Sequence, residues 1–253
     1  MRSALTGIHV LLNSSSILQM TIPRSRSISE CHLTPQDFEL TGEATDLAIP
    51  FKREAYREND DIVTLFTQRL GVISCHARGS RKPDSRISPY LQPLLLVRAE
   101  LMASRIDRPL LKRVEIVGDY SVIAREPAVF CRVLESLGYM LRIFPRQEPE
   151  ERLFNLTVRY LETAAAEMEH RPIGCTDDLT AHDLLSLAYL LKGAVLAGIA
   201  GDQITRSQGK AFISTPLGKV VPLFGRIGQN DLRKMERALM GALEKSISDS
   251  GLD

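Results

Sequence analysis

The sequence predicts an α+β protein in which a small five-stranded β-barrel precedes an all-helical domain. Two observations predict this order. Between Glu43 and Asp119, five short segments rich in β-branched and aromatic residues follow one another, with no helix-length segment between them. After Pro127, apolar residues recur at spacings of three and four, which is the period of a helix. Five strands in so short a stretch indicate a small closed barrel.

The five strands are predicted from apolar runs separated by turn residues. The first is TDLAIPFKREA, and the second spans Asp61–Gln68. Gly71 then allows a tight connection to the third strand, which lies in RLGVISCHARGS. The fourth spans Pro93–Ala103 and the fifth Leu110–Gly118, with the polar turn SRIDRP between them. Short strands joined by such turns favour a meander.

The second half of the chain is predicted to be helical. An apolar stripe runs from Val129 to Phe144, and the next helix, in RQEPEERLFNLTVRYLETAAAEMEH, has acidic residues in its first turn, as the helix dipole favours. A third helix lies in TDDLTAHDLLSLAYLLKGAVLAGIAGD and a last one in NDLRKMERALMGALEKSI. Between them, residues 203–228 contain several glycines and two prolines, which predicts a non-helical, glycine-rich insertion.

Residues 1–42 differ in composition from the rest of the chain. From Met1 to Ser29 there are arginines and many serines but no acidic residue. This composition is typical of an organelle transit peptide, and it fits equally a disordered extension or a start codon placed too far upstream, with Met20 as the alternative start. We favour a disordered extension, because nothing else in the chain requires an organelle. Organelle targeting stays open.

Positive charge is concentrated in one short stretch. The net charge of the 253-residue chain is only +1, so affinity for an anionic partner must come from a local patch. A barrel that binds single-stranded nucleic acid needs cations along the phosphate chain and flat groups on which bases stack. The alternative is a solvated loop, since surface arginines are common. The candidate residues are Arg69, Arg78, Arg81, Lys82, Arg86, Lys112, Arg113 and Tyr90.

Motifs of known enzyme classes are missing from the sequence, and we predict no catalytic residue and no cofactor. Cys75 and His76 are neighbours on a strand, so their side chains point to opposite faces and do not form a nucleophile–base pair. Gly218 and Lys219 resemble the end of a phosphate-binding loop, but Val220 stands where Ser or Thr must bind magnesium. The four cysteines are far apart, which disfavours a zinc site and a disulfide framework and suits a reducing cytoplasm.

A longer pattern resembles the bacterial recombination and DNA-repair protein family RecO. The segment Phe51–Leu101 contains the polar turn YREND and a strand ending in LFT. The run Ala77-Arg78-Gly79-Ser80-Arg81 follows, and then Leu91-Gln92-Pro93. The order and spacing of these elements are similar to those of the RecO amino-terminal domain. The helical remainder is similar in outline, with LLKGAVLAGIAG where the family has a Leu-Gly-Tyr helix.

The resemblance implies an OB-fold that binds DNA, at residues 43–120, and a helical domain at residues 121–253. RecO-like proteins bind single- and double-stranded DNA, anneal complementary strands and help to load RecA onto strands coated with single-strand-binding protein, often together with RecR. They catalyse no chemical step. We therefore expect a cytoplasmic, nucleoid-associated protein. The expected phosphate contacts are Arg78, Arg81, Lys82 and Arg86, with Lys112 and Arg113 as further candidates.

One departure from the family concerns metal. Many RecO-like proteins have four zinc-binding cysteines in the insertion, whereas residues 203–228 contain none, so we predict no metal site. Two other hypotheses stay open. In the first hypothesis, the chain is an interaction adaptor whose barrel no longer binds DNA. In the second, it is an enzyme with an unfamiliar site.

Overall fold

The computed structural model describes residues 42–103, 108–144, 149–169, 179–199, 207–225, 227 and 229–249. The predicted extension, residues 1–42, lies outside these ranges except for Gly42. All five predicted strands are present. They are β1 Glu43–Tyr56, β2 Asp60–Thr67, β3 Val72–Ala77, β4 Leu95–Met102 and β5 Leu110–Asp119.

The strands close into a barrel in the order β1-β2-β3-β5-β4. β1 pairs antiparallel with β4 along its first half and with β2 along its second half, and a register shift between Pro50 and Lys52 bends it between the two partners. β2 pairs antiparallel with β3, and β4 with β5. A parallel pairing of β3 with β5, at His76 and Leu110, completes the closure. This arrangement confirms the predicted five-stranded barrel.

The interior of the barrel is filled by side chains from alternate strand positions. Several of these side chains are small, and Ala48, Ala77 and Ala99 have no exposed surface. The interior is therefore a packed core, and a partner must bind on the outer surface or on the loops. The buried set consists of Ala44, Ala48, Val63, Leu65, Leu70, Cys75, Ala77, Leu91, Leu95, Val97, Ala99, Leu101, Leu111 and Val114.

Six helices follow the barrel in the ranges that the structure describes, which confirms the predicted α+β layout. They are α1 Pro127–Ile143, α2 Glu151–Glu169, α3 Leu179–Leu196, α4 Ser207–Ser214, α5 Leu217–Phe224 and α6 Gln229–Asp249. A salt-bridge cluster links three of them. The guanidinium of Arg132 on α1 lies 3.0 Å from Asp183 Oδ1 on α3 and 2.6 Å from Glu236 Oε1 on α6. Among the described segments, no helix is long and apolar enough to cross a bilayer.

The prediction that residues 203–228 are non-helical is wrong. Two short helices, α4 and α5, occupy most of the described part of this segment. Their apolar faces pack against each other, with the rings of Phe212 and Phe224 stacked at 4.2 Å between centroids, and Phe212 has no exposed surface. Burial of this kind outweighs the weak helix propensity of the glycines. Part of the segment lies outside the described ranges: residues 203–206, 226 and 228.

The outer surface of the barrel shares a hydrophobic core with the helices, separate from the core inside the barrel. Side chains on the outer surface of the barrel, including Ile49 and Phe66, belong to the same buried cluster as the helices. The ring of Phe66 lies 5.4 Å from that of Phe154 on α2, and Gln68 Nε2 donates to Glu151 Oε1 at 3.0 Å. The division into two domains at residue 120 therefore stays a prediction.

Candidate nucleic-acid interface

The connection from β3 to β4, residues 78–94, contains the four cations expected to contact phosphate, and we call it the basic loop. Its first turn is held by two neighbouring aspartates at the start of β2. The backbone N–H of Gly79 donates to Asp60 Oδ1 at 2.7 Å, and the hydroxyl of Ser80 donates to Asp61 Oδ2 at 2.5 Å. Gly79 has a φ of +68°, a left-handed conformation that favours glycine. The loop therefore leaves the barrel along a fixed path.

Both aspartates also bind side chains of the barrel. Arg53 Nε on β1 donates to Asp61 Oδ2 at 2.7 Å, and its Nη2 donates to the carbonyl oxygen of Ser80 at 3.2 Å. His76 Nε2 lies 2.8 Å from Asp60 Oδ2. The hydrogen bond from the Gly79 N–H is the main cause that lowers the pKa of Asp60. Asp61 is only 4% exposed, and these contacts compensate the burial of its charge.

A second contact joins the basic loop to the turn between β1 and β2. This turn comprises Arg57, Glu58 and Asn59, and all three side chains are exposed. The backbone N–H of Arg81 donates to the carbonyl oxygen of Asn59 at 3.0 Å. The turn and the start of the basic loop therefore lie side by side at one end of β2.

The four cations of the basic loop are available to a partner. Arg78, Arg81, Lys82 and Arg86 are all exposed. Within the described part of the chain, none of the four lies within 4.0 Å of a carboxylate, although Asp84 is in the same loop. An uncompensated cation costs little in water and interacts strongly with a phosphate chain.

Arg69, in contrast, is bound to the barrel's own acid. Its Nε lies 3.2 Å from Asp46 Oδ1, and its backbone N–H donates to Asp46 Oδ2 at 2.8 Å. Its Nη2 donates to the carbonyl oxygen of Thr45 at 2.7 Å. The Asp46 side chain is 2% exposed, and burial raises its pKa against the opposing effect of Arg69. The geometry gives Arg69 a structural role in holding the end of β2 to β1.

Lys112 and Arg113 are also paired within the protein. Lys112 Nζ lies 3.3 Å from Glu43 Oε1, and Arg113 Nη2 lies 2.6 Å from Glu115 Oε1. Arg113 Nη1 is 3.9 Å from Glu100 Oε1. The predicted cations therefore divide into an unpaired group on the basic loop and a paired group, which consists of Arg69 between β2 and β3 and of Lys112 and Arg113 on β5. The role of either group in binding DNA stays a prediction.

The side chain of Tyr90 is less exposed than we expect for a residue on which a base stacks. It ends a short 3₁₀ turn, Ser88–Tyr90, and its half-buried side chain packs against the barrel core, as do Ile73 and Ile87. Only part of the ring is left for a base. In the described ranges, no group of three or more histidine, cysteine or acidic residues is arranged to hold a metal ion.

Several contributors to this site were not predicted from the sequence. Asp60, Asp61, Ser80 and Arg53 position the start of the basic loop through hydrogen bonds. The available signal was the adjacency of two acids at a strand start with a Gly-Ser pair at the end of the next strand. The sequence alone does not show that the two acids contact this Gly-Ser pair. The contact follows only from the β2–β3 register, which pairs Asp61 with Ala77.

The barrel is similar to a known protein family. Residues 42–120 match the family described as Recombination protein O N terminal. Curated proteins named DNA repair protein RecO are similar over a longer stretch. The Geobacter metallireducens protein is 35% identical over 111 residues, which is 42% of this chain and 43% of the relative. The Geobacter sulfurreducens protein is 36% identical over 107 residues, 42% of this chain and 44% of the relative.

A further relative matches over a longer stretch at lower identity. The Myxococcus xanthus RecO protein is 26% identical over 144 residues, 57% of each chain. The chain thus spans about half the length of the curated relatives it matches. The resemblance to RecO and the predicted OB-fold are confirmed for the barrel. Both anchoring aspartates and the whole basic loop lie inside the RecO-like residues.

Proposed function

We propose that this chain is a DNA repair and recombination mediator of the RecO type. It binds single- and double-stranded DNA through the basic loop and anneals complementary strands. The proposal rests on a difference between two groups of cations, one without and one with carboxylate partners in the protein. The four cations of the basic loop are exposed and form no ion pair with a described residue, whereas Arg69, Lys112 and Arg113 are paired with carboxylates of the barrel.

The proposed mechanism is electrostatic. Two complementary strands repel each other through their phosphates, and cations placed along one strand release its counterions and lower that repulsion. The contacts of Gly79 and Ser80 with the two aspartates hold the start of the loop, so the cations are partly ordered before DNA binds. This arrangement reduces the conformational entropy that is lost on binding. The function needs no catalysed chemical step.

The proposed protein partners follow from the RecO likeness. They are RecR and single-strand-binding protein, with RecA as the recombinase that is loaded onto the strand in consequence. The names of the relatives support a role in DNA repair. A protein with this function acts at the bacterial nucleoid in the cytoplasm.

The test compares two variants that lose the same charge. The first replaces Arg78, Arg81 and Lys82 with Ala, and the matched control replaces Arg98, Lys112 and Arg113, which are paired with carboxylates. Affinity for a labelled oligothymidylate is measured over a range of salt. The loop variant should bind more weakly. Its slope of log K against log[salt] should be shallower by about 2, since each phosphate contact on a single strand contributes about 0.7 to the steepness. The control should keep most of its slope.

Annealing is measured separately, as the rate at which two complementary labelled strands form a duplex. The loop variant should lose the acceleration that the wild-type protein provides. The proposal would be contradicted if both variants had the same slope of log K against log[salt] and annealed strands at the wild-type rate. If neither the wild type nor the variants bind DNA, the interaction-adaptor hypothesis is favoured instead.

A further inference from the structure

The turn between β1 and β2 contains a backbone conformation that its sequence does not favour. Arg57 has a φ of +56°, in the left-handed region. Glycine and asparagine adopt this region most readily, and a long L side chain does so at a cost. In the described chain, Leu94 is the other residue besides glycine with a positive φ, and it is buried in the core. Arg57 is exposed, so packing does not explain why an arginine stands there.

The guanidinium of Arg57 is held over an aromatic ring. Its Cζ lies 5.1 Å from the ring centroid of Tyr56, within the range of a cation–π contact. The same ring meets His76 edge-on, with 5.4 Å between centroids and 84° between planes. Tyr56 is therefore fixed against β3. A guanidinium lying on a ring keeps its N–H groups at the edge, where they can donate to an anion.

This cation lies beside the basic loop. Tyr56 pairs with Asp60 across the hairpin, and Asp60 binds the Gly79 N–H of the loop. Asn59, two residues after Arg57, accepts the hydrogen bond from the Arg81 N–H. A strand bound along the first residues of the basic loop therefore passes close to the β1–β2 turn.

We propose that Arg57 is a fifth cation of the DNA-binding surface, which contacts a phosphate of the bound strand, and that Tyr56 is the positioning residue that holds its guanidinium. The inference rests on the proposed function and extends that site from one loop to two. A phosphate contact would give a reason for an arginine, and not a glycine or asparagine, at this backbone conformation. The neighbouring exposed Glu58 lies on the same turn and opposes binding.

The first test separates charge from backbone. Arg57→Asn suits a φ of +56° and removes the charge, so its thermal midpoint should equal or exceed that of the wild type. Its affinity for a labelled oligothymidylate should fall roughly five- to tenfold at about 50 mM salt, and the salt slope should decrease by about 0.7. Arg57→Lys should keep the slope. Arg125→Asn, at an exposed position of the 3₁₀ turn Ser121–Arg125, is the control and should change neither quantity.

The second test addresses Tyr56. Tyr56→Leu should weaken binding in the wild-type background but not in the Arg57→Asn background, because its effect acts through the guanidinium. Tyr56→Phe keeps the ring and should bind like the wild type. Glu58→Gln should strengthen binding, since it removes a negative charge beside the strand.

Arg57→Asn with wild-type affinity and slope would overturn the inference, as would a Tyr56→Leu effect that is equal in both backgrounds. If the basic-loop variants lose affinity and slope while Arg57→Asn does not, the inference fails alone and the proposed function stands. If the basic-loop variants also bind like the wild type, both fail together.

Discussion

The hydroxyl of Ser80 donates a hydrogen bond to Asp61 Oδ2 across 2.5 Å, and both side chains are buried. Asp61 also accepts from Arg53 Nε, so one carboxylate joins β1, β2 and the first turn of the basic loop. This contact connects barrel stability with the position of the cations that follow it.

Replacing either partner of this contact should therefore destabilise the barrel. Ser80→Ala removes one hydrogen bond to a charged acceptor, and we expect a loss of roughly 1.5–3 kcal/mol in the free energy of unfolding. Asp61→Asn also removes the charge that Arg53 faces, so it should cost more than Ser80→Ala. Urea denaturation followed by circular dichroism measures both.

Ser74→Ala, at a half-buried position of β3, is the control for Ser80→Ala and should change stability little. DNA affinity should fall in Ser80→Ala while the salt slope stays near that of the wild type, because the cations are still present. A Ser80→Ala protein as stable as the wild type would show that the contact contributes nothing.

A second prediction concerns the left-handed glycine of the loop. Gly79→Ala should destabilise the protein by about 1 kcal/mol or more, because a φ of +68° is unfavourable for alanine. The new Cβ itself meets no obstacle, since its nearest neighbour is Lys82 Cδ at 3.7 Å. The matched change is Gly241→Ala on α6, where nothing lies within 4 Å of the added Cβ.

Gly241→Ala should stabilise the protein by up to about 1 kcal/mol, because alanine is the better helix former. We therefore expect the midpoint of thermal unfolding to fall in Gly79→Ala and to rise in Gly241→Ala. Shifts of the same sign would contradict the left-handed conformation of Gly79 or the helical one of Gly241.

The third prediction is a pH dependence that arises in the helical part. Lys192 on α3 is partly buried and donates from Nζ to the carbonyl oxygen of Ile213 on α4. Burial lowers the pKa of Lys192 from 10.5 to about 8. Between these two values the unfolded chain binds more protons than the folded one, so this lysine makes the protein more stable as pH rises from about 8 towards 10.

Lys192→Met removes this titration. The free energy of unfolding of the wild type, measured relative to Lys192→Met by urea denaturation, should increase between pH 7 and pH 10. Taking the difference cancels the groups that both proteins share. A difference that stays constant with pH would show that Lys192 keeps an ordinary pKa in the folded protein, and one that decreases would show that folding raises this pKa.

The sequence predicted the strands well because the barrel is built from local patterns. Each apolar run is bounded by turn residues, and all five strands lie within a few residues of their predicted limits. The helices α4 and α5 were missed because their stability comes from packing, such as that of Phe212 on Phe224, and not from local propensity.

The cations show a different limit of sequence analysis. Arg69 is paired with Asp46, and Lys112 with Glu43, which are distant along the chain and meet only through strand pairing. Composition indicates how many arginines a region has, but the register decides which of them are compensated. Arg57 was missed for a related reason, since a left-handed arginine has no sequence signature of the kind that a glycine gives.

The salt dependence of binding to a single-stranded oligonucleotide tests the central claim most directly. The comparison is between the wild type and a variant with Arg78, Arg81, Lys82 and Arg86 all replaced by Ala. If these cations contact phosphate, the slope of log K against log[salt] should be shallower in the variant by about 3. A slope identical to that of the wild type, in a variant that unfolds at the same temperature, would contradict the claim.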